Sequence, residues 1–232
     1  DEMPDVPDWA FGVLTLKQFG GSMDKVAAYA NEVIANSGEL TRQMIMHALF
    51  KLPAKEGMKT DAPALIFLLD PVVTGETALL LPLSNAEAVK TSLITTLGMP
   101  IEEAGVLTFM LPQPLPEPDK TLLIKIDQDK LLVAPNTVAL KNLESFIGSK
   151  TLQQLVGDIG NDATLTLKID RFKRRFGMLL AVGLELCAQM AAENPQQGEK
   201  LKAQLRSMLD TLWQIDVVEA CLTVDDKTKS AA

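Results

Sequence analysis

The densest group of like charges in the sequence is formed by Arg171, Lys173, Arg174 and Arg175, four cations within five residues. The apolar periodicity that follows Asp170 predicts a helix, so these cations lie at a helix N-terminus, where the backbone dipole is already positive. That arrangement is unfavourable unless an anion or an acidic partner lies nearby. The sequence therefore contains one candidate anion- or partner-binding site. The simpler alternative is that the four side chains are solvated or paired with the chain's own carboxylates.

Residues that could carry out catalysis are sparse. The chain has one histidine, His47, and it has no Gly-x-Ser-x-Gly motif, so a histidine-based nucleophilic site is not expected. Paired cysteines with metal-binding spacing and glycine loops for phosphates are also missing from the sequence, and Gly20-Gly21 alone predicts a turn. Asp127-x-Asp129 lacks the remainder of a calcium loop and predicts a hairpin turn. We expect no enzymatic activity, no metal site and no cofactor.

A proline-rich segment offers a second candidate interaction site. Pro112, Pro114, Pro116 and Pro118 occupy every second position of a seven-residue stretch. Such a segment favours the polyproline II conformation and could dock in an aromatic groove of a partner. A semi-rigid surface loop is the alternative interpretation.

Several methionines fall on predicted helices, where they either fill the core or line a pliable apolar pocket. The helix after Asp170 is expected to bury Phe172, Leu179 and Leu180, and the next helix to bury Met208. The helical methionines are Met23, Met44, Met46, Met178, Met190 and Met208.

The two cysteines lie in different predicted elements, Cys187 in a helix and Cys221 in a strand. Both are expected to be buried free thiols, because an isolated cysteine packs as a small apolar residue. A disulfide between them is the alternative, which spacing alone cannot decide.

Composition excludes some classes of partner. The formal net charge of −8 argues against nucleic acid and against attachment to anionic lipid, both of which favour a basic surface. No apolar run approaches the roughly 20 residues that span a bilayer. The sequence opens with Asp1-Glu2-Met3-Pro4-Asp5, so we expect that a leader, compatible with a secretory signal, has been removed.

The same structural unit is predicted to occur twice. Leu14-Thr15-Leu16-Lys17 recurs as Leu165-Thr166-Leu167-Lys168, and each copy is followed by a helical pattern and then by an apolar strand. We expect a first α+β unit at 1–160 and a partial second unit at 161–232, with the natural chain continuing beyond Ala232. The fold class is α+β: a mixed, largely antiparallel sheet with helices packed on one face.

A shorter phrase also repeats. Leu81 to Lys90 matches Leu132 to Lys141, and each copy predicts a strand that runs through an asparagine cap, Asn85 or Asn136, into a helix. These phrases, above all Leu-Val-Ala-Pro-Asn-x-x-Ala at 132–139, resemble exported bacterial proteins of unknown function that repeat a strand, a helix pair, a hairpin and a helix. The resemblance implies a periplasmic, cell-envelope or secreted location and transfers no catalytic residues.

These observations favour a non-catalytic scaffold or protein-interaction module of the cell envelope or of the secreted fraction. The alternative is a carrier of an apolar ligand, a lipid or a peptide, held between the methionine-rich helices and the sheet. A protein partner or self-association fits the sequence; nucleic acid and an integral membrane segment do not. A small-molecule ligand stays open.

Overall fold

The computed structural model describes residues 6–33, 57–70, 77–111, 120–157, 160–191 and 195–223, and these form one large sheet with helices. His47 and the prolines of 112–118 lie outside the described residues. The strands are β1 (Gly12–Leu16), β2 (Ala64–Leu68), β3 (Thr77–Pro82), β4 (Ile101–Glu103), β5 (Val106–Leu111), β6 (Lys120–Asp127), β7 (Lys130–Ala134), β8 (Ala163–Lys168) and β9 (Val217–Leu222). The helices are α1 (Phe19–Val33), α2 (Ala86–Leu97), α3 (Thr137–Ile147), α4 (Leu152–Val156), α5 (Ile169–Ala191) and α6 (Pro195–Leu212).

The strands of the described residues form a single sheet in the order β4-β5-β6-β7-β3-β2-β1-β8-β9. Each pair for which the register is defined, from β4 through β7 and β3 to β1, is antiparallel. The predicted α+β class with a largely antiparallel sheet is therefore confirmed. The hairpin predicted around Asp127 and Asp129 is also confirmed, since Asp127 pairs with Lys130 at the β6–β7 turn.

Helices cover both faces of the sheet, and the expectation that they pack on one face is wrong. Along β2, the residues Ala64 to Phe67 are all buried, so side chains on both sides of the strand need an apolar cover. One core cluster joins Ile66 and Leu79 to Val89 and Leu93 of α2, and we call this side the α2 face. The other core cluster contains residues of α3 and α4, and we call it the α3 face; its members include Phe67, Leu80, Leu140, Leu143 and Leu155.

The two copies of the repeated phrase form the predicted strand, cap and helix. Asn85 accepts a hydrogen bond from the backbone N–H of Ala88 at 3.1 Å, and Asn136 accepts one from Ala139 at 2.9 Å. Each asparagine is the N-cap of its helix, so its side chain satisfies one of the backbone donors that a first turn leaves without a partner.

The pairing register explains why these two helices lie on opposite faces. Leu81 corresponds to Leu132 in the sequence repeat, but in the sheet Leu81 lies opposite Leu131. Directly opposed residues of an antiparallel pair point to the same face, whereas neighbours along a strand alternate. Leu81 therefore points to the α2 face and Leu132 to the α3 face. The helix that follows each strand packs on the face to which that strand's leucine points.

The start of α1 differs from the sequence prediction. Gly20-Gly21 was expected to form a turn, which would leave Ser22 to cap the helix that follows, but the helix begins at Phe19 and includes all three residues. A Cβ at Gly20 would lie 2.9 Å from Cγ2 of Thr60, so glycine permits a close approach of the helix to that residue. Ser22 instead donates from its Oγ to the carbonyl of Asp162 at 3.0 Å.

Two compact units divide the described chain. The first unit comprises the residues up to Leu165 together with those from Ala220 onward, and the second unit is Thr166–Glu219. The strands β1 and β8, which carry the sequence match 151 residues apart, are neighbours in the sheet. Residues 34–56, which hold part of the first copy's helical pattern, lie outside the described residues, so the internal repeat stays a prediction. The described part of the chain contains no helix with both the length and the apolar character needed to cross a bilayer.

Candidate functional site

The predicted basic cluster lies in the first two turns of α5, within the unit Thr166–Glu219. The helix starts directly after β8, and its start is held by the Asp216 carbonyl, which accepts from the backbone N–H of Ile169 at 2.8 Å. Asp170 is the acidic residue of this first turn, where a negative charge complements the helix dipole. The sequence therefore places one carboxylate at the position that best offsets the four cations.

The described contacts of the cations go to different groups. Arg174 forms an ion pair with Asp170, one turn back, at 2.8 Å, and Lys173 donates to the carbonyl of Trp213 at 3.4 Å. The guanidinium of Arg175 lies 5.9 Å from the centre of the Phe176 ring. These contacts separate the side chains, and none of them brings two cations to one point. Anion binding by Arg171, Lys173, Arg174 and Arg175 stays a prediction.

A second feature of α5, absent from the sequence-based site, is an exposed apolar surface. Met178 is 83% exposed and Leu179 is 68% exposed, and Phe172, Val182 and Leu186 are also exposed. Phe172, Leu179 and Leu180 were expected to face inward, and that expectation is wrong because all three are exposed. We call Phe172, Met178, Leu179, Val182 and Leu186 the α5 apolar surface.

The sequence did carry a signal for this surface. The stretch 176–184 has no charged residue, so its apolar side chains lie all around the helix rather than along one stripe. Only part of that circumference is covered by α6, through the side of α5 that carries Gly177, Ala181 and Glu185. Met178, Leu179 and Val182, which lie outside that side, are exposed.

A small, partly open cavity of about 130 Å³ lies between α5 and α6. Its lining combines small and apolar residues with charged ones: Gly177, Ala181, Glu185, Lys202, Arg206, Leu209, Asp210 and Trp213. Glu185 lies 3.5 Å from Lys202 and 3.8 Å from Arg206. Small-molecule sites usually occupy about 300–1,000 Å³, so this cavity is small for a ligand.

The exposed helical methionines and the described cysteine differ from expectation. Met178 is 83% exposed and Met208 is 70% exposed, so neither fills the core. Cys221 is a free thiol, as expected, but it is exposed on β9 rather than buried. The side chain of Thr164 lies 4.0 Å from its sulfur.

Two lysines elsewhere in the described residues lie close to carboxylates. Lys90 donates to Glu102 at 2.9 Å, and this hydrogen bond and the carboxylate's charge raise the pKa of Lys90 above its ordinary value of 10.5. Lys130 is buried, with its Nζ 3.5 Å from Asp129 and 3.4 Å from the carbonyl of Lys150. Within the described ranges, no three His, Cys, Asp or Glu side chains are grouped so that they could hold a metal ion.

The geometry therefore leaves the α5 apolar surface, flanked by cations, as the candidate functional site. Comparisons of the chain with protein-family models, with curated proteins and with solved structures find no match.

Proposed function

We propose that this protein is a non-catalytic scaffold or protein-interaction module that acts in the cell envelope or after secretion. The observation that carries the proposal is the α5 apolar surface: five large apolar side chains on one helix are exposed, with Met178 at 83%. Monomeric proteins rarely leave contiguous apolar surface of this kind uncovered, because water disfavours it.

The residues beside this surface fit protein recognition. Interfaces are enriched in Met, Phe and Arg relative to the rest of a protein's surface. Phe172, Met178 and Arg175 are of these types, and they lie within two turns of one another on α5. Arginine also stacks on aromatic rings, as Arg175 does on Phe176 within the chain itself.

The proposed location has a different basis. It rests on the likeness of the phrases 81–90 and 132–141 to exported bacterial proteins. Fractionation of the full-length gene product in its own host tests it, and recovery only in the cytoplasmic fraction would contradict it.

The carrier of an apolar ligand is the weaker alternative. It needs a cavity between helices and sheet, whereas the cavity described on α5 and α6 is about 130 Å³ and is lined by Glu185, Lys202 and Arg206 as well as by apolar groups. A co-purifying lipid in native mass spectrometry of the host protein would revive it.

Site-specific photo-crosslinking in the native host tests the interaction function. A benzophenone amino acid replaces Met178 in one strain and Met99 in the other, because both methionines are 83% exposed and Met99 lies far along the chain from α5. We expect protein adducts at position 178 that are absent or much weaker at position 99. Equal adducts at both positions, or no protein adduct at 178, would contradict the proposal.

A further inference from the structure

Three of the five residues of the α5 apolar surface, Phe172, Leu179 and Leu186, are spaced symmetrically about Leu179. Phe172 and Leu186 each lie seven residues from Leu179, and a seven-residue step returns to nearly the same side of a helix, within about 20°. Met178 and Val182 are exposed alongside this line. If a second α5 packs antiparallel with Leu179 opposite Leu179, then Phe172 of each copy lies opposite Leu186 of the other. One helix therefore provides both halves of an apolar seam.

The charges of α5 favour the same antiparallel arrangement. The cations Arg171, Lys173, Arg174 and Arg175 occupy the N-terminal end, where they add to the positive end of the helix dipole. An antiparallel neighbour places its negative C-terminal end beside them. A parallel pair would instead bring the two basic ends together.

The backbone of a second helix could come close to α5 at Gly183. A Cβ at Gly183 would meet no atom within 4 Å, so no packing within the described chain requires glycine there. Glycine inside a helix costs about 1 kcal/mol relative to alanine, and it is tolerated where another helix must come close. Gly183 lies one turn beyond Leu179, beside the centre of the symmetric line.

The exposed apolar area of this surface can be compared with the area of a typical interface. Five large apolar side chains at these exposures present roughly 500 Å² per copy, before the stems of the flanking arginines are counted, against the about 800 Å² per partner of a standard interface. Two such surfaces would together bury about 1,000 Å², which is near the lower limit of a specific interface.

We propose that two copies of this chain associate through α5, antiparallel about a two-fold axis at Leu179. This inference rests on the proposed interaction function and names its partner as a second copy. Because the surface pairs with itself, the contact closes after two copies and gives a dimer rather than a filament.

Analytical ultracentrifugation of the full chain over a wide range of concentrations tests the dimer. Leu179→Glu places two carboxylates opposite each other at the two-fold axis, and like charges in an interface cost several kcal/mol, so the dimer dissociation constant should rise about a hundredfold or more. Met208→Glu is the matched control: Met208 is as exposed as Leu179 but lies on α6, and this variant should dimerise like the parent chain. Circular dichroism checks that both variants keep the fold.

Cysteine crosslinking tests the register independently of stability. In a Cys187→Ala, Cys221→Ser background, Leu179→Cys should form a disulfide-linked dimer on mild oxidation, as should the double variant Phe172→Cys, Leu186→Cys. Each single variant, Phe172→Cys or Leu186→Cys, should crosslink far less.

Four outcomes would overturn the inference. They are a monomer at every concentration, a dimer unaffected by Leu179→Glu, loss of the dimer in Met208→Glu, or no crosslink at position 179. A monomer that binds vesicles of anionic phospholipid through Leu179 would assign the surface to lipid instead. A monomeric chain that still gives specific protein adducts at position 178 would overturn the second copy as partner and leave the proposed interaction function standing.

Discussion

Replacement of Gly57 by alanine should destabilise the protein far more than the loss of one glycine ordinarily does. Gly57 has a φ of 79°, in the left-handed region that side chains with a Cβ rarely adopt. A Cβ there would overlap the carbonyl oxygen of Asn85 and lie 2.7 Å from Cγ2 of Val89, at the start of α2. The Gly57 carbonyl also accepts hydrogen bonds from the N–H groups of Ser84 at 2.8 Å and Asn85 at 3.0 Å.

The expected magnitude follows from these contacts. A non-glycine residue in the left-handed region costs about 1–2 kcal/mol, and the lower entropy of the unfolded alanine chain returns about 0.4–1 kcal/mol. Relief of the overlap requires the backbone around Gly57 to move away from the cap of α2, which adds about 1–3 kcal/mol of overpacking and weakens two hydrogen bonds of about 1 kcal/mol each. We expect a loss of about 3–5 kcal/mol in the free energy of unfolding.

Gly148 provides the matched control. Its φ is 51°, also left-handed, but a Cβ there would meet nothing within 4 Å. Gly148→Ala should therefore report the backbone strain alone, at about 1 kcal/mol. The difference between the two variants isolates the close approach of Gly57 to α2.

Urea unfolding followed by tryptophan fluorescence measures both changes. The chain has two tryptophans, and in a Trp213→Phe background only Trp9 reports. Trp9 packs against Phe67, with ring centres 4.9 Å apart, so its signal follows the sheet's core. If Gly57→Ala and Gly148→Ala differ by less than about 1 kcal/mol with equal denaturant slopes, the proposed contact at the cap of α2 is wrong.

Three further predictions test burial and charge. Phe67→Ala should lower the free energy of unfolding in urea by about 3–5 kcal/mol, because the side chain is fully buried. Phe172→Ala should lower it by about 1 kcal/mol or less, because that side chain is 40% exposed. Similar losses in the two variants would contradict the described burial. Lys130→Met should leave the free energy of unfolding unchanged within about 1 kcal/mol or raise it. The reason is that Lys130 is buried, and an apolar side chain of similar length removes the need to desolvate its charge. A loss above about 2 kcal/mol would contradict this and show that the contacts of the ammonium group are net stabilising. Titration of Lys90 by NMR should give a pKa above 10.5, and this pKa should fall in the Glu102→Gln variant. Because the pKa is raised in the folded state, the stabilisation is fully present below pH 10.5 and is lost as pH rises through the folded pKa. An unchanged pKa of Lys90 in the variant would rule out Glu102 as the cause of the shift.

The sequence predicted the strands well and their surroundings less well. Apolar runs such as Ala64 to Leu68 become strands because β-branched, aromatic and leucine side chains fit a buried pleated surface. In these runs the apolar residues are continuous rather than alternating with polar ones, which also indicates that both faces of the sheet are covered. The prediction of helices on one face overlooked this signal. Pairing register is a different case. No local pattern states that Leu81 lies opposite Leu131, because that depends on the turn and the contacts of residues about fifty positions apart.

The candidate site was predicted only in part for a related reason. The cations of α5 are visible as a run of letters, but their contacts with Asp170, Trp213 and Phe176 depend on helix geometry and on α6. The apolar residues of α5 satisfy helix periodicity on every side, so the sequence does not state which of them α6 covers. The short strand β4 and the short helix α4 were missed because each has too few residues to establish a period.

The distribution of charge along the chain bears on where two copies could meet. Residues 166–219 contain eight of the 22 lysines and arginines and seven of the 30 aspartates and glutamates, a net charge of +1, so the remaining residues carry −9. Two copies of a chain with net charge −8 repel each other, and the repulsion is weakest when the nearly neutral segments face one another. That segment contains α5, which also carries the exposed apolar side chains. Exposed apolar side chains and weak repulsion between copies therefore coincide on one helix, which is what the proposed dimer through α5 needs.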